Sequence, residues 1–159
     1  MPVARIDVDV ATLAFLAGSA ANGQLLERIR DAGHPYLRTA HGYVFQRLLK
    51  TTPTVGELAT ALGVTQQAAS KSAKELESLG YVRRHPDASD RRATRLELTE
   101  RGHDAVEVAR RIRCELESQL RARVGAEVLD NAKESLWALL AMAGGEADIH
   151  ARSVRMPSS

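Results

Sequence analysis

The 159-residue sequence holds a single cysteine, Cys114. One thiol cannot build an internal disulfide framework or a cysteine-rich zinc site, so the small disulfide-stapled and cysteine-liganded zinc folds are excluded. Long apolar runs are also missing. Val10 to Ala21 is interrupted by Thr12, Gly18 and Ser19, and Leu136 to Ala143 is short. Neither approaches the roughly 18 apolar residues of a membrane helix. Leu13 to Ala17 followed by Gly18-Ser19-Ala20-Ala21 has the outline of an export signal, but Arg5 ahead of it is offset by Asp7 and Asp9, whereas export signals start net positive. The expected compartment is therefore the cytoplasm. Charge of one sign is equally scarce: 22 Lys and Arg against 20 Asp and Glu leave a formal net charge of +2, too little to name a partner by itself. Three signatures of chemistry are absent as well: a phosphate-cradling glycine loop, a His-Glu-x-x-His helix and a nucleophile elbow. No convergent set of nucleophile, base and orienter replaces them, so neither an enzyme nor a cofactor or metal is expected.

What the sequence does contain is helical periodicity. With 44% apolar and 26% charged residues, it fits one compact domain with helical extensions. Asp9 caps a first helix to about Arg30, carrying Leu13, Leu16, Ala17, Ala20, Ala21 and Leu25, before Gly33, His34 and Pro35 punctuate. Leu37, His41, Val44, Phe45 and Leu48 mark a second helix to Lys50, broken by Thr51-Thr52-Pro53. Thr54 and Glu57 form a capping box for a short third helix over about 55–61. Leu62-Gly63-Val64 is a tight turn, and Thr65 caps a fourth helix to Leu79, with Gly80 as its left-handed stop. Tyr81–Arg84 and Arg95–Leu98 then read as strands of a β-hairpin, with His85 to Arg92 as a polar tip. Thr99 caps a long helix to about Val124 with an apolar stripe of Ala105, Val108, Ala109, Ile112, Leu116 and Leu120. After Gly125 a last helix carries Val128, Leu129, Leu136, Leu139 and Leu140, ended by Gly144-Gly145. The tail from Ala151 to Ser159 has almost nothing to bury and is expected to fray.

The third and fourth helices, joined by a tight turn, form a helix-turn-helix. At about 100° per residue, Ala69, Ser72, Ala73 and Leu76 share one side of the second of these. Gln67, Ser70, Lys71 and Lys74 share the other, a stripe of amide, hydroxyl and ammonium groups without a carboxylate. Gln can read adenine edges, Ser can bond bases or phosphates, and Lys neutralises phosphates or meets guanine. The plainer reading of such a stripe is a solvated helix face. Charge distribution favours the groove reader: from Thr65 to Arg95 there are seven basic residues and four acids, while the rest of the chain holds 15 basic and 16 acidic. The positive surplus sits on the segment whose shape suits a groove. Arg91 and Arg92 at the hairpin tip suit a narrow minor groove.

Thr54-Val55-Gly56-Glu57-Leu58-Ala59, Val64 to Lys71, Leu76 to Arg84, and above all Asp90-Arg91-Arg92-Ala93 followed by Leu96-Glu97-Leu98-Thr99-Glu100-Arg101-Gly102 resemble the multiple-antibiotic-resistance regulator (MarR) family over about 50 residues. The resemblance implies a mostly α winged helix-turn-helix with a small β-wing. It also implies a homodimer that represses or activates nearby genes, and release from DNA by a small ligand or by cysteine oxidation. Carried onto this sequence, residues 1–36 would be an N-terminal dimerisation helix, 37–99 the DNA-binding winged domain, 100–145 the C-terminal dimerisation helices and 146–159 a flexible tail. Thr65, Gln66, Gln67, Ser70, Lys71 and Lys74 of the recognition helix and Arg84, Arg91 and Arg92 of the wing would contact double-stranded DNA, and Asp90 would orient a wing arginine. Ala88-Ser89 departs from the tighter proline- or arginine-containing tip of many relatives.

The remaining candidates divide between function and packing. The sensing cysteines of the resembling family lie in the first helix, which has none here, and Cys114 reads as incidental, with Arg110 and Arg111 favouring its thiolate. His34, Tyr36, His41 and Tyr43 cluster where the first two helices meet; the resemblance implies an effector cavity between the dimerisation helices and the winged domain, with His34, Tyr36, Arg38 and His41 as the polar contacts to a small aromatic acid. His41 also shares the stripe of Leu37, Val44 and Leu48, which suits a packing histidine. Trp137 beside Leu136 and Leu140 reads as dimer or domain core. The competing class is a winged helix used as a protein-interaction adaptor, which would need no base-facing side chains.

Overall fold

Asp9 starts the first helix by accepting the Thr12 backbone N–H on its Oδ1 at 2.9 Å, which satisfies one of the free amides of the opening turn. The computed structural model describes residues 7–90 and 92–145. The C-terminal tail, expected to fray, and Arg91 lie outside the described residues. Among the described residues, six helices and one two-stranded antiparallel sheet follow in the order α1 (Val10–Asp31), α2 (Thr39–Leu48), α3 (Val55–Leu62), α4 (Gln66–Ser78), β1 (Val82–Pro86), β2 (Thr94–Leu98), α5 (Glu100–Val124) and α6 (Ala126–Met142). Among these residues no helix is long and apolar enough to cross a membrane.

Each boundary has a local cause. The capping box at α3 is formed as read: Thr54 Oγ1 accepts from Glu57 N at 3.3 Å, and Glu57 Oε2 accepts from Thr54 N at 2.8 Å. Gly63 and Gly80 adopt positive φ, 66° and 79°, where a side chain would be strained, and so they end α3 and the α4 turn. Two expectations shift. The second helix begins at Thr39 rather than Leu37. The hairpin strands extend to Pro86 and Thr94, so His85 and Pro86 belong to the ladder rather than the tip. Pro86 pairs with Thr94 at the very end of β1, where a missing N–H removes little from the ladder.

The core lies between α2, α3, α4, the sheet and the N-terminal half of α5. Leu58, Leu76, Leu96 and Ala73 have no exposed surface. Leu25 and Ile29, in the C-terminal half of α1, close this core against α5. The rest of α1 and most of α6 leave apolar side chains uncovered: Leu13 and Leu16 are 53% exposed, Leu136 47% and Trp137 46%. Ile112, in the same apolar stripe of α5 as Leu120, is buried in the core; the stripe turns outward only after it, where Leu120 is exposed.

The junction of wing and long helix depends on a close approach. Thr99 caps α5 by accepting Gly102 N at 3.1 Å, donates its hydroxyl to the Gly80 carbonyl at 2.6 Å, and its own N–H bonds the Tyr81 carbonyl at 3.0 Å. A Cβ added to Gly102 would lie 2.3 Å from that Tyr81 oxygen and 3.0 Å from a Leu98 methyl. Alanine would gain about 1 kcal/mol of helix propensity, but the clash is with backbone fixed at both ends. Gly102→Ala is therefore expected to lower unfolding free energy by about 1–3 kcal/mol, measurable by urea denaturation. Unchanged or raised stability would show that the junction yields.

Candidate nucleic-acid interface

Helix α4 is built to face two ways. Ala69, Ala73 and Leu76 are buried, and small residues at two of these positions let the helix lie close against α3. The opposite side is solvent-facing, where Gln66, Gln67, Ser70, Lys71 and Lys74, together with Val55 of α3, line an open concavity of about 820 Å³. Thr65 stands at the head of this face as the N-cap, its Oγ1 accepting Ala68 N at 3.1 Å.

Electrostatics sharpen the contrast. The two carboxylates of α4 are both engaged by arginines: Glu75 bonds Arg38 of the segment before α2, and Glu77 accepts from Arg84 Nε at 3.0 Å. Glu97 on the wing bonds Arg83. Lys71 and Lys74 take no part in the ion pairs seen among the described residues, so their charge is directed to solvent. Arg84, expected as a DNA contact, is half-buried and tied to Glu77 of α4.

At the wing tip, Asp90, expected to orient an arginine side chain, accepts the backbone N–H of Arg92 at 2.9 Å. The carboxylate that holds an arginine here is Asp87, which bonds Arg95 and takes Ser89 N and Oγ on its Oδ1, both at 2.6 Å. Those donors, Ser89 first, hold the Asp87 carboxyl far below the usual carboxylate range, and Asp87 in turn raises the proton affinity of Arg95. Arg92 is exposed at the tip. Arg91 lies outside the described residues.

The four candidates for an effector site divide between two networks and solvent. His34 is buried, with Nδ1 3.0 Å from the Tyr81 hydroxyl and Nε2 3.2 Å from Asp104 Oδ2. Arg101 covers the Tyr81 ring with its guanidinium 4.9 Å from the centroid and donates to the Tyr81 hydroxyl and the Gly33 carbonyl, each at 3.3 Å. Tyr36 is 69% exposed. His41, with no exposed surface, takes the Arg38 backbone N–H on Nδ1 at 3.3 Å, replacing the Glu or Gln usual at that capping position. Its Nε2 lies 3.7 Å from Glu75, the carboxylate that Arg38 also bonds. Tyr81, Arg101, Asp87 and Arg95 were missed as positioning groups; the signal available was the arginine and aspartate density around the hairpin. Cys114 is exposed, and no partner is seen for it.

Burial lowers the proton affinity of His41 below its ordinary 6.5, against the opposing pull of Glu75. As pH falls through that value the unfolded chain takes up a proton that the folded chain refuses. Stability is thus complete above 6.5 and declines on acidification until the folded imidazole itself protonates. His41→Gln should be less stable than wild type at neutral pH yet show a shallower loss of melting temperature down to about pH 5.5. Parallel slopes for the two proteins in thermal denaturation would contradict this assignment.

Residues 40–93 match the family model described as MarR family. A 48-residue stretch is 44% identical to the transcriptional repressor MprA of Escherichia coli (strain K12), covering 30% of this chain and 27% of that protein. The chain thus spans little more than a quarter of the curated relatives it matches. Over the whole fold it is similar to MepR, a transcription regulator of the Staphylococcus aureus multidrug efflux pump MepA, with 19% identity, TM-score 0.69, and coverage of 86% of this chain and 99% of that one. FabT of Streptococcus pneumoniae, solved in complex with DNA, superposes with 19% identity, TM-score 0.68, and coverage of 86% and 98%. The central segment, from α2 to the wing tip, thus matches the MarR family model, and the flanking helices share the fold of MepR and FabT.

Proposed function

We propose that this protein is a homodimeric, cytoplasmic transcriptional regulator, acting as a repressor, that binds a pseudo-palindromic DNA duplex through α4 and the wing. The observation that carries the reading is the exposed face of α4: Gln66, Gln67, Ser70, Lys71 and Lys74 line one open concavity, while Glu75 and Glu77 are neutralised by Arg38 and Arg84. A face of amides, hydroxyls and uncompensated ammonium groups matches base edges flanked by phosphates. A protein-interaction adaptor would not need its carboxylates withdrawn from that face. FabT, of the same fold, is a DNA complex, and MprA is a repressor.

Dimerisation follows from the uncovered apolar side chains of α1 and α6, with residues 1–36 and 100–145 as the pairing helices around a winged domain of 37–99. Val10, Leu13, Phe15, Leu16, Leu136 and Trp137 are all exposed in the single chain. A two-fold axis through these helices would set two recognition helices about one DNA turn apart. Sedimentation at micromolar concentration is expected to give twice 17.3 kDa, and a folded monomer would remove the symmetric reading.

Regulation is proposed to act at the joint between the pairing helices and the winged domain, where His34, Tyr36, Arg38 and His41 lie. A small aromatic acid bound there weakens DNA binding by favouring a spacing of the two recognition helices that no longer fits both half-sites. It needs a differential affinity on the order of 1–3 kcal/mol for the two spacings.

Two substitutions separate base reading from backbone and groove contact. Gln67→Ala should relax base choice within the half-site at a cost of about 1–3 kcal/mol, whereas Arg92→Ala should weaken binding and erase preference for narrow A·T-rich flanks. Selection of preferred duplexes from a random pool by each variant distinguishes them. Wild-type affinity with unchanged flank preference in a dimeric Arg92→Ala protein would remove the wing from the interface.

A further inference from the structure

A two-stranded ribbon is marginally stable by itself, so the place of its tip depends on what ties the strands down. In this chain one side chain does most of the tying. Arg95, on β2, donates from Nη1 to the Thr52 carbonyl at 2.8 Å and to Glu57 Oε2 at 3.2 Å, and from Nε to Asp87. The first two acceptors belong to the loop before α3 and to its capping box. The third belongs to the wing tip. Backbone contacts run alongside: Leu96 N bonds the Pro53 carbonyl at 2.9 Å, and Thr54 and Arg95 form an isolated bridge.

From Asp87 the bonds continue to the tip. Its Oδ1 collects Ser89 N, Ser89 Oγ and, at 3.2 Å, Asp90 N; Asp90 Oδ1 then takes Arg92 N at 2.9 Å. The turn is closed by Asp87 N to the Ala93 carbonyl and Ala93 N to the Asp90 carbonyl, both 2.9 Å. An unbroken path of bonds therefore leads from the start of α3, which packs on α4, to the backbone of Arg92.

We propose that Arg95 is a positioning residue for DNA binding: by holding Asp87 and the α3 capping box on one guanidinium, it fixes where the Arg92 side chain stands relative to the recognition helix. The inference rests on the DNA-binding reading above. Arg95 itself is a poor phosphate contact, because its charge faces both Asp87 and Glu57. Its function depends on the planar fork, which reaches acceptors in different directions at once. A lysine ammonium keeps the charge but cannot hold that geometry.

The test is a double-mutant cycle on the dimer, using one duplex enriched by the wild-type protein from a random-sequence pool. Arg95→Ala should weaken binding about tenfold in the wild-type background, but by less than about twofold when Arg92 is already alanine, because its effect passes through Arg92. Arg95→Lys should resemble Arg95→Ala, and Asp87→Asn should reproduce both the loss and its dependence on Arg92. Circular dichroism checks folding, and if Arg95→Ala does not fold, Asp87→Asn carries the same comparison. Equal losses in the two Arg92 backgrounds, full affinity in Arg95→Lys, or no loss in Asp87→Asn would each overturn the proposal while leaving DNA binding intact. Failure of the wild-type dimer to enrich any duplex would overturn both.

Discussion

The fold is organised around the contact of α4 with the core beneath it. Ala69, Ala73 and Leu76 are buried with Leu58 and Leu96, and this inner face fixes the rotation of the helix about its own axis. Burying a leucine is worth about 1.5–3 kcal/mol, enough to make a rotated helix rare. At 100° per residue, once the alanines point inward, Gln67, Ser70, Lys71 and Lys74 have no choice but to point outward. The polar face is thus a consequence of core packing, and the capped ends at Thr65 and Gly80 restrict the register further.

A second constraint is the disposal of negative charge. A surface proposed to meet a polyanion cannot leave carboxylates free beside it, yet this segment carries several. Each is drawn to an arginine or into a local turn: Glu75 to Arg38, Glu77 to Arg84, Glu97 to Arg83 and Asp87 to Arg95. Exposed pairs of this kind contribute little stability, typically under about 1 kcal/mol each. What they change is the field, because the charges left outward on the recognition face are those of Lys71 and Lys74.

Much of this was legible in the residues, and the reasons are local. Asp9, Thr54 with Glu57, Thr65 and Thr99 are caps whose bonds span three residues, so the helix starts could be read directly, as could the glycine stops at 63 and 80. The stripe on α4 was legible because a helix has a fixed period. What was not legible depends on contacts far apart in the chain. Arg84 looked like a free cation until the fold placed Glu77 beside it, and Asp87 rather than Asp90 proved to hold an arginine because Arg95 lies across the ladder from His85. Ile112 belongs to the same stripe as Leu116 and Leu120, and periodicity cannot say where along a helix one partner surface ends and another begins. His34 and His41 resembled a cluster in sequence, but Tyr81 and Asp104 draw the first away while Arg38 and Glu75 hold the second.

The uncovered apolar side chains bear on how the two ends of the molecule communicate. Core packing is continuous from the winged domain through Ala105, Val108 and Ile112 of α5, then stops, and the N-terminal half of α1 and most of α6 find little of their own chain to cover them. The junction between these regions is polar: His34 after α1 bonds the Tyr81 hydroxyl at the root of the wing, Arg101 in the first turn of α5 donates to the same hydroxyl, and Asp104 lies 3.2 Å from His34 Nε2. A dry apolar joint would slide only with many small losses, whereas a joint of a few directed bonds has discrete alternative arrangements. The winged domain, tied internally by Arg95 and by Thr99, would then move as one body about that joint. In the dimer proposed above, a change of angle there would alter the separation of the two α4 helices without altering the polar face of either.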